Sequence, residues 1–252
     1  MDHALRILEL LRGEPAMRLS DVARQLGVAN STAHRLLAAL AYRGFVRQQP
    51  GTRRYTAGDA LLRIGRAAVL HVELRDRARP LLEALARELG ETVHLGVREG
   101  TLVRYVDAVE SARAVRVAAR TGRTLAAHWT STGKVLLAGL ADDTVRGLYG
   151  ETNLPTGTPS SIGDLDVLLA DLDECRHVGF AVNRGESEED VVSVAIALRD
   201  GDGAIVAAVS CAAPQHRLAI SDAAGVATRM RAIVASSAHL AAWRSAPARL
   251  GP

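Results

Sequence analysis

The N-terminal part of the chain places apolar residues at helical spacing in three successive segments. Ala4, Leu5, Ile7, Leu8 and Leu11 predict a first helix. Asp2 is placed to cap this helix, and residues 13–15 (Gly-Glu-Pro) are placed to end it. A short second helix is predicted to begin at residues 19–21 and to end at Gly27, where a left-handed backbone can turn the chain sharply.

The third predicted helix begins at Asn30 or Ser31, since either side chain can cap free N–H groups. Its buried side would carry Ala33, Leu36, Leu37 and Leu40. Two short helices that meet at a tight glycine turn are typical of a helix-turn-helix. Residues 45–47 and 53–56 then read as two short strands around a turn, which predicts a basic hairpin, or wing.

Polar residues on the far side of the third helix and in the hairpin are the candidates for DNA contact. They are Ser31, Thr32, His34, Arg35, Arg53 and Arg54. A helix in the major groove presents such side chains to base edges and phosphates, and Arg35 is the strongest single candidate because a guanidinium binds guanine or phosphate bidentately. The alternatives are that Asn30 and Ser31 only cap the helix, that the arginines point into water, or that the module contacts protein.

Two amphipathic helical stripes follow, over residues 57–70 and 72–89. The first stripe includes Ala68 and Val69, and Pro80 either begins or kinks a segment within the second. A helical connector suits the transmission of a movement, although connecting helices also occur where nothing is transmitted.

The remaining residues alternate between the period of strands and that of helices. A hairpin is predicted over 92–98 and 102–107, a strand over 114–119, and helices around 131–140, 144–149 and 165–178. Strands near 180–183, 192–198 and 205–212 follow, with a turn at 200–203, and a final helix is predicted over 222–243. The fold class is therefore α+β, with a mainly antiparallel sheet flanked by helices.

Composition and charge narrow the functional classes. Apolar residues make up 48% and charged residues 23% of the chain, as in an ordinary globular protein. The first 56 residues hold nine arginines and four acidic residues, while the rest of the chain carries a net charge of −2, so the N-terminal part is expected to meet a polyanion. No apolar run approaches the roughly 18 residues of a membrane span, and the N-terminus does not resemble a signal peptide, so we expect a cytoplasmic protein that does not bind membranes.

The candidate residues for catalysis and metal binding are scattered. Cys175 and Cys211 are far apart and lie in no CxxC or Cys/His cluster, so neither a disulfide, a metal site nor a cofactor is expected. The chain contains no GxSxG or HExxH motif, which argues against an enzyme with an attached DNA module. Lys134 is the only lysine beside thirty arginines and is expected to have a special packing or polar role; His128 and Val135 exclude a phosphate-binding Walker loop there.

Four stretches of the chain resemble the IclR (isocitrate lyase regulator) family of bacterial transcription regulators. They are LSDVARQLGVANSTAHRLLAALAYRGFV, TLAAHWTSTGKVLLAGL, VGFAVNRGESEEDVVSVAIAL and IVAAVSCAAP. The resemblance implies a winged helix-turn-helix DNA-binding domain at 1–58, a helical linker at 59–72 and a GAF-like effector-binding domain at 73–252. It also implies homodimers or homotetramers on double-stranded operator DNA, controlled by a small organic acid or aromatic effector. Repression and activation are both compatible with it, and a DNA-bound scaffold whose sensor pocket has closed is a further alternative.

The resemblance also implies a set of residues that line the effector pocket. They are Leu125, Ser131, Thr132, Gly133, Asn183, Ser193, Ser210 and Ala212. Residues 131–133 lie where a loop enters a helix, so free N–H groups and hydroxyls could receive a carboxylate, although Ser131 or Thr132 could equally be a plain helix cap. Asn183 stands where relatives often carry an acid, and its neutral amide admits an anionic or a neutral ligand. Glu186 matches an acidic motif of the family, or belongs with residues 188–190 to a solvated loop.

Overall fold

The computed structural model describes residues 1–150 and 153–237, and of residues 66–70 it describes the backbone only. The chain divides into two compact units, Met1–Val72 and Glu73–Pro252. Two expectations fall outside this description. The side chains of Ala68 and Val69 are one, and the part of the final helix that was predicted to reach Trp243 is the other.

The first unit packs helices against a small antiparallel sheet. The helices are α1 (Asp2–Gly13), α2 (Leu19–Leu26) and α3 (Asn30–Tyr42). The strands are β1 (Met17–Arg18), β2 (Val46–Gln48) and β3 (Arg54–Ala57), in the order β1-β3-β2. The predicted helix-turn-helix and wing are both present, and Gly27 has the left-handed backbone, with φ 68°, that the turn between α2 and α3 requires. The sequence pattern did not indicate β1, because two residues are too few to show a period.

The apolar periodicity of this unit corresponds to one core. Its buried members are Ile7, Leu11, Met17, Val22, Ala23, Leu26, Ala33, Leu37, Val46 and Tyr55. Leu36 and Leu40 of α3 are only partly buried against that core, and Leu5 was wrongly placed in it, since its side chain is 56% exposed. The three helices therefore hold each other through one face each, which leaves the opposite face of α3 to solvent.

The predicted helix caps of the first unit are wrong. α1 begins at Asp2 itself, and Met1 occupies the cap position without a side-chain hydrogen bond. α3 begins at Asn30, and Ala29 occupies its cap position, so neither Asn30 nor Ser31 caps the helix. In both cases the helix already includes the polar residue that was expected to precede it. The polar side chains of Asn30 and Ser31 are therefore not committed to the helix end.

A single helix, α4 (Asp59–Leu89), replaces the two predicted stripes, and Pro80 lies inside it. After α4 come the strands β4 (Thr92–Glu99), β5 (Leu102–Val109) and β6 (Thr124–Ala126). A short 3-10 helix (Ala127–Trp129) leads into α5 (Ser131–Ala138), α6 (Asp142–Tyr149) and α7 (Leu165–Val178). The chain continues through β7 (Ala181–Arg184), β8 (Val191–Arg199) and β9 (Ile205–Pro214) to a 3-10 turn (Ile220–Asp222) and α8 (Ala223–Ser236).

The second unit is an antiparallel sheet in the order β6-β5-β4-β9-β8-β7 with helices on both faces, as the α+β prediction required. One face carries Val93, Leu95, Val194 and Val209 and packs with α4 and α8 residues in one core. The other face packs with α5 and α7 residues in a second core that includes Val103 and Tyr105. Strand alternation explains the division, because neighbouring residues of a strand point to opposite faces.

The predicted strand over 114–119 is wrong, since these residues form no strand, and β6 was missed. Side chains form hydrogen bonds with backbone groups that, in a strand, would have paired with a neighbouring strand. Thr92 Oγ1 donates to the carbonyl of Val117 at 2.6 Å, and the N–H of Ala119 donates to Glu110 Oε1 at 2.8 Å. Polar side chains therefore hold the 114–119 segment over the sheet. Its alternating apolar residues look the same in the sequence as those of a strand.

Candidate functional site

The exposed face of α3 carries the predicted DNA-contacting residues. Ala33 and Leu37 are fully buried on the other side of the helix. Ser31, His34 and Arg35 are exposed, and Thr32 is half-buried. The spacing of 3.6 residues per turn produces this division directly, because positions 33 and 37 lie one turn apart. The structure thus brings the polar residues of α3 onto one solvent-facing surface.

The wing places two arginines at the start of β3, and both are exposed. Arg53 adopts a left-handed backbone conformation with φ 53°. Arg54 Nη1 lies 3.4 Å from the carbonyl oxygen of Ala16, a long contact that ties this side chain loosely to the body of the unit. Arg53 is therefore the freer of the two guanidinium groups.

A groove of about 600 Å³ opens between the start of α2, α3 and the wing. Its lining residues are Arg18, Leu19, Ser20, His34, Gln48, Gly51, Thr52, Arg53 and Tyr55. Arg18 is exposed and immediately precedes α2, and it is not among the residues predicted from the sequence to contact DNA. The available signal was a basic side chain next to a helix N-terminus, where the positive end of the helix dipole also favours an anion.

In the second unit, α5 begins at Ser131, as predicted, but its cap is Thr130. Thr130 Oγ1 accepts a hydrogen bond from the N–H of Gly133 at 2.9 Å. The alternative that Ser131 or Thr132 caps the helix is therefore wrong, and the N–H of Gly133 is already engaged. The N–H groups of Ser131 and Thr132 lie in the first turn, where no acceptor within the helix exists.

Ser131, Ser193, Ser210 and Ala212 lie together between α5 and the sheet. Ser131 Oγ lies 2.7 Å from Ser193 Oγ. Ser193 pairs in register with Ala212, and Ser210 is two residues before Ala212 on β9, so both β9 side chains share the face on which Ser193 lies. All four residues are buried. These four predicted pocket residues therefore form one contiguous patch of hydroxyl and small side chains, the hydroxyl patch.

Thr132 and Asn183 differ in whether their side-chain polar atoms have hydrogen-bond partners among the described residues. Thr132 Oγ1 is buried and, within residues 1–150 and 153–237, has no hydrogen-bond partner. Asn183 is buried beside Ser193 in register, but its side-chain amide is engaged: Nδ2 donates to the Trp129 carbonyl at 3.0 Å and to Ser187 Oγ at 2.7 Å. Oδ1 of Asn183 accepts from the N–H of Glu186 at 2.9 Å. Asn183 therefore shapes the loop after β7 and keeps little hydrogen-bonding capacity for a ligand.

Leu125 lies on β6 at one edge of the sheet, whereas Asn183 lies on β7 at the other edge. Leu125 pairs in register with Val103 and packs, partly buried, against the second core. These two predicted pocket residues are the farthest apart in strand order.

Glu186 is buried and paired, which decides between the two interpretations of the acidic segment. Glu186 Oε1 accepts from Lys134 Nζ at 2.8 Å, and Lys134 also lies 2.9 Å from Asp171 Oδ2. Burial raises the pKa of the Glu186 carboxyl, and the neighbouring Lys134 ammonium opposes that shift. Glu188, Glu189 and Asp190 are exposed, so only the first acidic residue of the segment is internal.

Three further buried residues that lie against one another were not singled out from the sequence: His94, Tyr105 and Arg120. The His94 and Tyr105 rings stack edge to face at 5.3 Å between centroids, and the Arg120 guanidinium carbon lies 5.9 Å from the Tyr105 ring centroid. Burial, and secondarily the charge of Arg120, lowers the pKa of His94 to about 4. His94 and Tyr105 were assigned to a hairpin without regard to which face they occupy, and Arg120 lies in a segment without regular structure, so no periodicity could identify them.

Among residues 1–150 and 153–237, no group of three or more histidine, cysteine or acidic side chains is arranged to hold a metal ion. Over the same residues, no helix combines the length and the apolar character that crossing a membrane requires.

Two family models match the chain. The model described as IclR helix-turn-helix domain matches residues 1–50, and the model described as bacterial transcriptional regulator IclR C-terminal matches residues 66–238. The HTH-type transcriptional regulator XynR of Escherichia coli is 30% identical over 83% of this chain and 84% of its own length. The HTH-type transcriptional regulator BhcR of Paracoccus denitrificans is 31% identical over 91% of this chain and 84% of its own length.

Solved structures have the same fold. A crystal structure of an IclR transcriptional regulator from Alicyclobacillus acidocaldarius matches 96% of this chain and 97% of its own, with a TM-score of 0.61 and 28% identity. The structure of an IclR homologue from Microbacterium hydrocarbonoxydans in complex with 4-hydroxybenzoate matches 95% of this chain and 98% of its own. Its TM-score is 0.61 at 23% identity, a likeness that concerns the fold alone.

Proposed function

Because this chain belongs to the IclR family of transcriptional regulators, we propose that it binds operator DNA through α3 and the wing under the control of a small-molecule effector. The family combines a helix-turn-helix DNA-binding domain with a C-terminal ligand-binding domain. The proposed domains are the DNA-binding domain at 1–58, the helical linker at 59–72 and the effector-binding domain at 73–252.

The observation that carries the DNA-binding proposal is the two-sided character of α3. Its core side is anchored by Ala33 and Leu37, while Ser31, His34 and Arg35 face solvent next to a groove edged by Arg18 and Arg53. In the proposed complex α3 enters the major groove, Arg35 contacts a guanine or a phosphate, and Arg53 and Arg54 contact the flanking backbone. Two copies in a homodimer would present α3 to successive major grooves about 34 Å apart.

The test is a gel shift of the full chain on the DNA upstream of its own gene. We expect a band that weakens as salt rises, because phosphate contacts release counterions. Arg35→Ala should lower the affinity by roughly tenfold or more if the guanidinium contacts a base, or reduce the salt slope by about one if it contacts a phosphate. Arg146→Ala is the matched control, since it removes one exposed arginine from α6 in the second unit. Absence of binding at low salt would contradict the proposal.

The effector is proposed to be a small organic acid or aromatic compound that binds beside Ser131, Ser193, Ser210 and Ala212. Support comes from the buried hydroxyl patch next to the start of α5, where first-turn N–H groups favour a carboxylate. One structural neighbour was solved in complex with 4-hydroxybenzoate, which is both aromatic and a carboxylate. We infer that the chain senses this compound without converting it, as a regulator rather than an enzyme, so turnover of a bound ligand by the purified protein would contradict this part.

Occupancy of this site should be measured by thermal shift, since a ligand that binds only the native state raises the melting temperature. A compound that raises it should also change the gel shift. Repression and activation are both consistent with such coupling, and the direction of the change in the gel shift shows only whether the effector strengthens or weakens DNA binding. A compound that binds tightly and leaves DNA binding unaltered would contradict the regulatory coupling.

A further inference from the structure

The guanidinium of Arg120 is buried in the second unit, with a side chain only 6% exposed. It lies over the Tyr105 ring, and its charge helps to lower the pKa of the buried His94. His94 pairs in register with Ser210, so Arg120 belongs to the same sheet face as the hydroxyl patch described above. A buried guanidinium is uncommon in proteins unless an anion accompanies it.

The anion present is Glu188, whose Oε1 lies 2.7 Å from Arg120 Nη2. This pair is asymmetric, because the Glu188 side chain is 52% exposed while that of Arg120 is buried. A guanidinium has five N–H donors. Within the described residues Glu188 supplies the single side-chain hydrogen bond that Arg120 makes. The carboxylate therefore reaches the guanidinium from the solvent side, and the other Arg120 donors have no acceptor among the described residues.

We propose that Arg120 selects carboxylate effectors, which rests on the proposed function. Glu188 would occupy Arg120 until the carboxylate of an effector replaces it. A carboxylate can bind a guanidinium through two parallel hydrogen bonds, whereas Glu188 makes one. An incoming acid would thus gain a bidentate partner while Glu188 returns to water with little loss, since it is already half-exposed. A neutral amide of the same shape cannot compensate the buried charge.

Replacement of Glu188 by an effector would also remove one of the contacts that hold the loop after β7. That loop is held to α5 through Glu186 and Lys134, and to the segment before β6 through Glu188 and Arg120. An effector carboxylate at Arg120 breaks the contact between Glu188 and Arg120 and keeps the contact between Glu186 and Lys134. The effector would then change the attachment of a loop that borders the hydroxyl patch through Asn183.

The test uses acetate and its neutral analogue acetamide on the full chain. Glu188→Ala removes the internal carboxylate, so acetate should raise the melting temperature of this variant saturably, with half-saturation at least tenfold below that of the wild type. Acetamide should have no such effect. The double variant Arg120→Gln/Glu188→Ala should lose the response. Asp166→Ala is the matched control, because Asp166 pairs with the exposed Arg146 at the same 2.7 Å and its loss leaves no buried cation.

Several outcomes would overturn the inference: no acetate response in Glu188→Ala, an equal response to acetamide, or a response that survives in the double variant. Glu188→Gln, which keeps the length of the side chain, serves if Glu188→Ala does not fold, with the same expected order of responses. Gel shifts of the same proteins separate the two hypotheses. DNA binding without an acetate response contradicts only the role of Arg120, whereas an acetate response without DNA binding contradicts the proposed function.

Discussion

Lys134 Nζ lies 2.8 Å from Glu186 Oε1, and both side chains are buried, with exposed fractions of 0% and 5%. Asp171 gives the ammonium a second partner at 2.9 Å, while Glu186 Oε2 has none in the part of the chain that the structure describes. The only lysine of the chain thus joins α5 to the loop after β7 from inside the second unit. A compact ammonium on an unbranched stem fits this position, where a planar guanidinium would need more donors satisfied.

Removal of that ammonium should be strongly destabilising. Lys134→Met leaves the Glu186 carboxylate buried without its cation, so we expect a loss of about 3 to 5 kcal/mol in the free energy of unfolding, measured by denaturant titration. The double variant Lys134→Met/Glu186→Gln should recover part of that loss, because the buried carboxylate is then neutral, while Asp171 is partly exposed and keeps Arg184 at 3.8 Å. Arg146→Gln, in an exposed pair with Asp166, is the control and should cost less than about 1 kcal/mol. Equal losses in the two pairs would contradict the buried role.

His94 should make the stability depend on pH between about 6.5 and 4. Burial lowers its pKa to about 4, below the ordinary value of 6.5, so the unfolded chain takes up a proton that the native ring does not. The stabilising contribution is therefore complete above pH 6.5 and is lost as the pH falls towards 4. At about 1.4 kcal/mol per pKa unit the loss amounts to roughly 3 kcal/mol.

The measurement is denaturant unfolding at several pH values for the wild type, His94→Gln and the exposed His177→Gln. His94→Gln should flatten the curve over this range, and His177→Gln should leave its shape unchanged. A wild-type slope that persists in His94→Gln would show that another group is responsible.

Arg53 offers a way to separate stability from DNA binding. Its φ of 53° is unfavourable for a side chain with a Cβ atom, so Arg53→Gly should keep or raise stability by up to about 1 kcal/mol. The same change removes a proposed phosphate contact and should weaken binding in the gel shift. Arg53→Lys keeps both the strain and the charge, and should bind nearly as the wild type does. If Arg53→Gly bound DNA normally, the wing contact at this position would be excluded.

Substitution by alanine should change the stability in opposite directions at Gly133 and Gly147. A Cβ atom at Gly133 would overlap the carbonyl of Ala127, whereas one at Gly147 meets nothing within 4 Å. Gly133→Ala should therefore destabilise the second unit by more than about 2 kcal/mol, since backbone must shift. Gly147→Ala, in the exposed surface of α6, should stabilise it by roughly 0.5 to 1 kcal/mol because alanine is the better helix former. Thermal melts of both variants test the pair, and a tolerated Gly133→Ala would refute the close approach.

The local predictions that failed did so for two physical reasons. The caps expected at Asp2 and at Asn30 or Ser31, and the alternative cap at Ser131, assumed that the polar residue precedes the helix. The three helices begin at Asp2, Asn30 and Ser131 themselves. The predicted strand over 114–119 assumed that alternation means pairing, while hydrogen bonds from Thr92 and to Glu110 hold that segment instead. In each case a contact distant in sequence, or a one-residue shift, decided the outcome.

The helix-turn-helix, the wing, the antiparallel sheet and the solvent-facing surface of α3 can be predicted from the amino-acid sequence, because apolar periodicity and turn residues act locally. The folded chain was needed to show that Lys134 pairs with Glu186, that Thr130 caps α5, and that Arg120 is buried beside Tyr105 and His94. These arrangements join residues up to 52 positions apart, and the burial that strengthens them exists only once the sheet and its helices have packed.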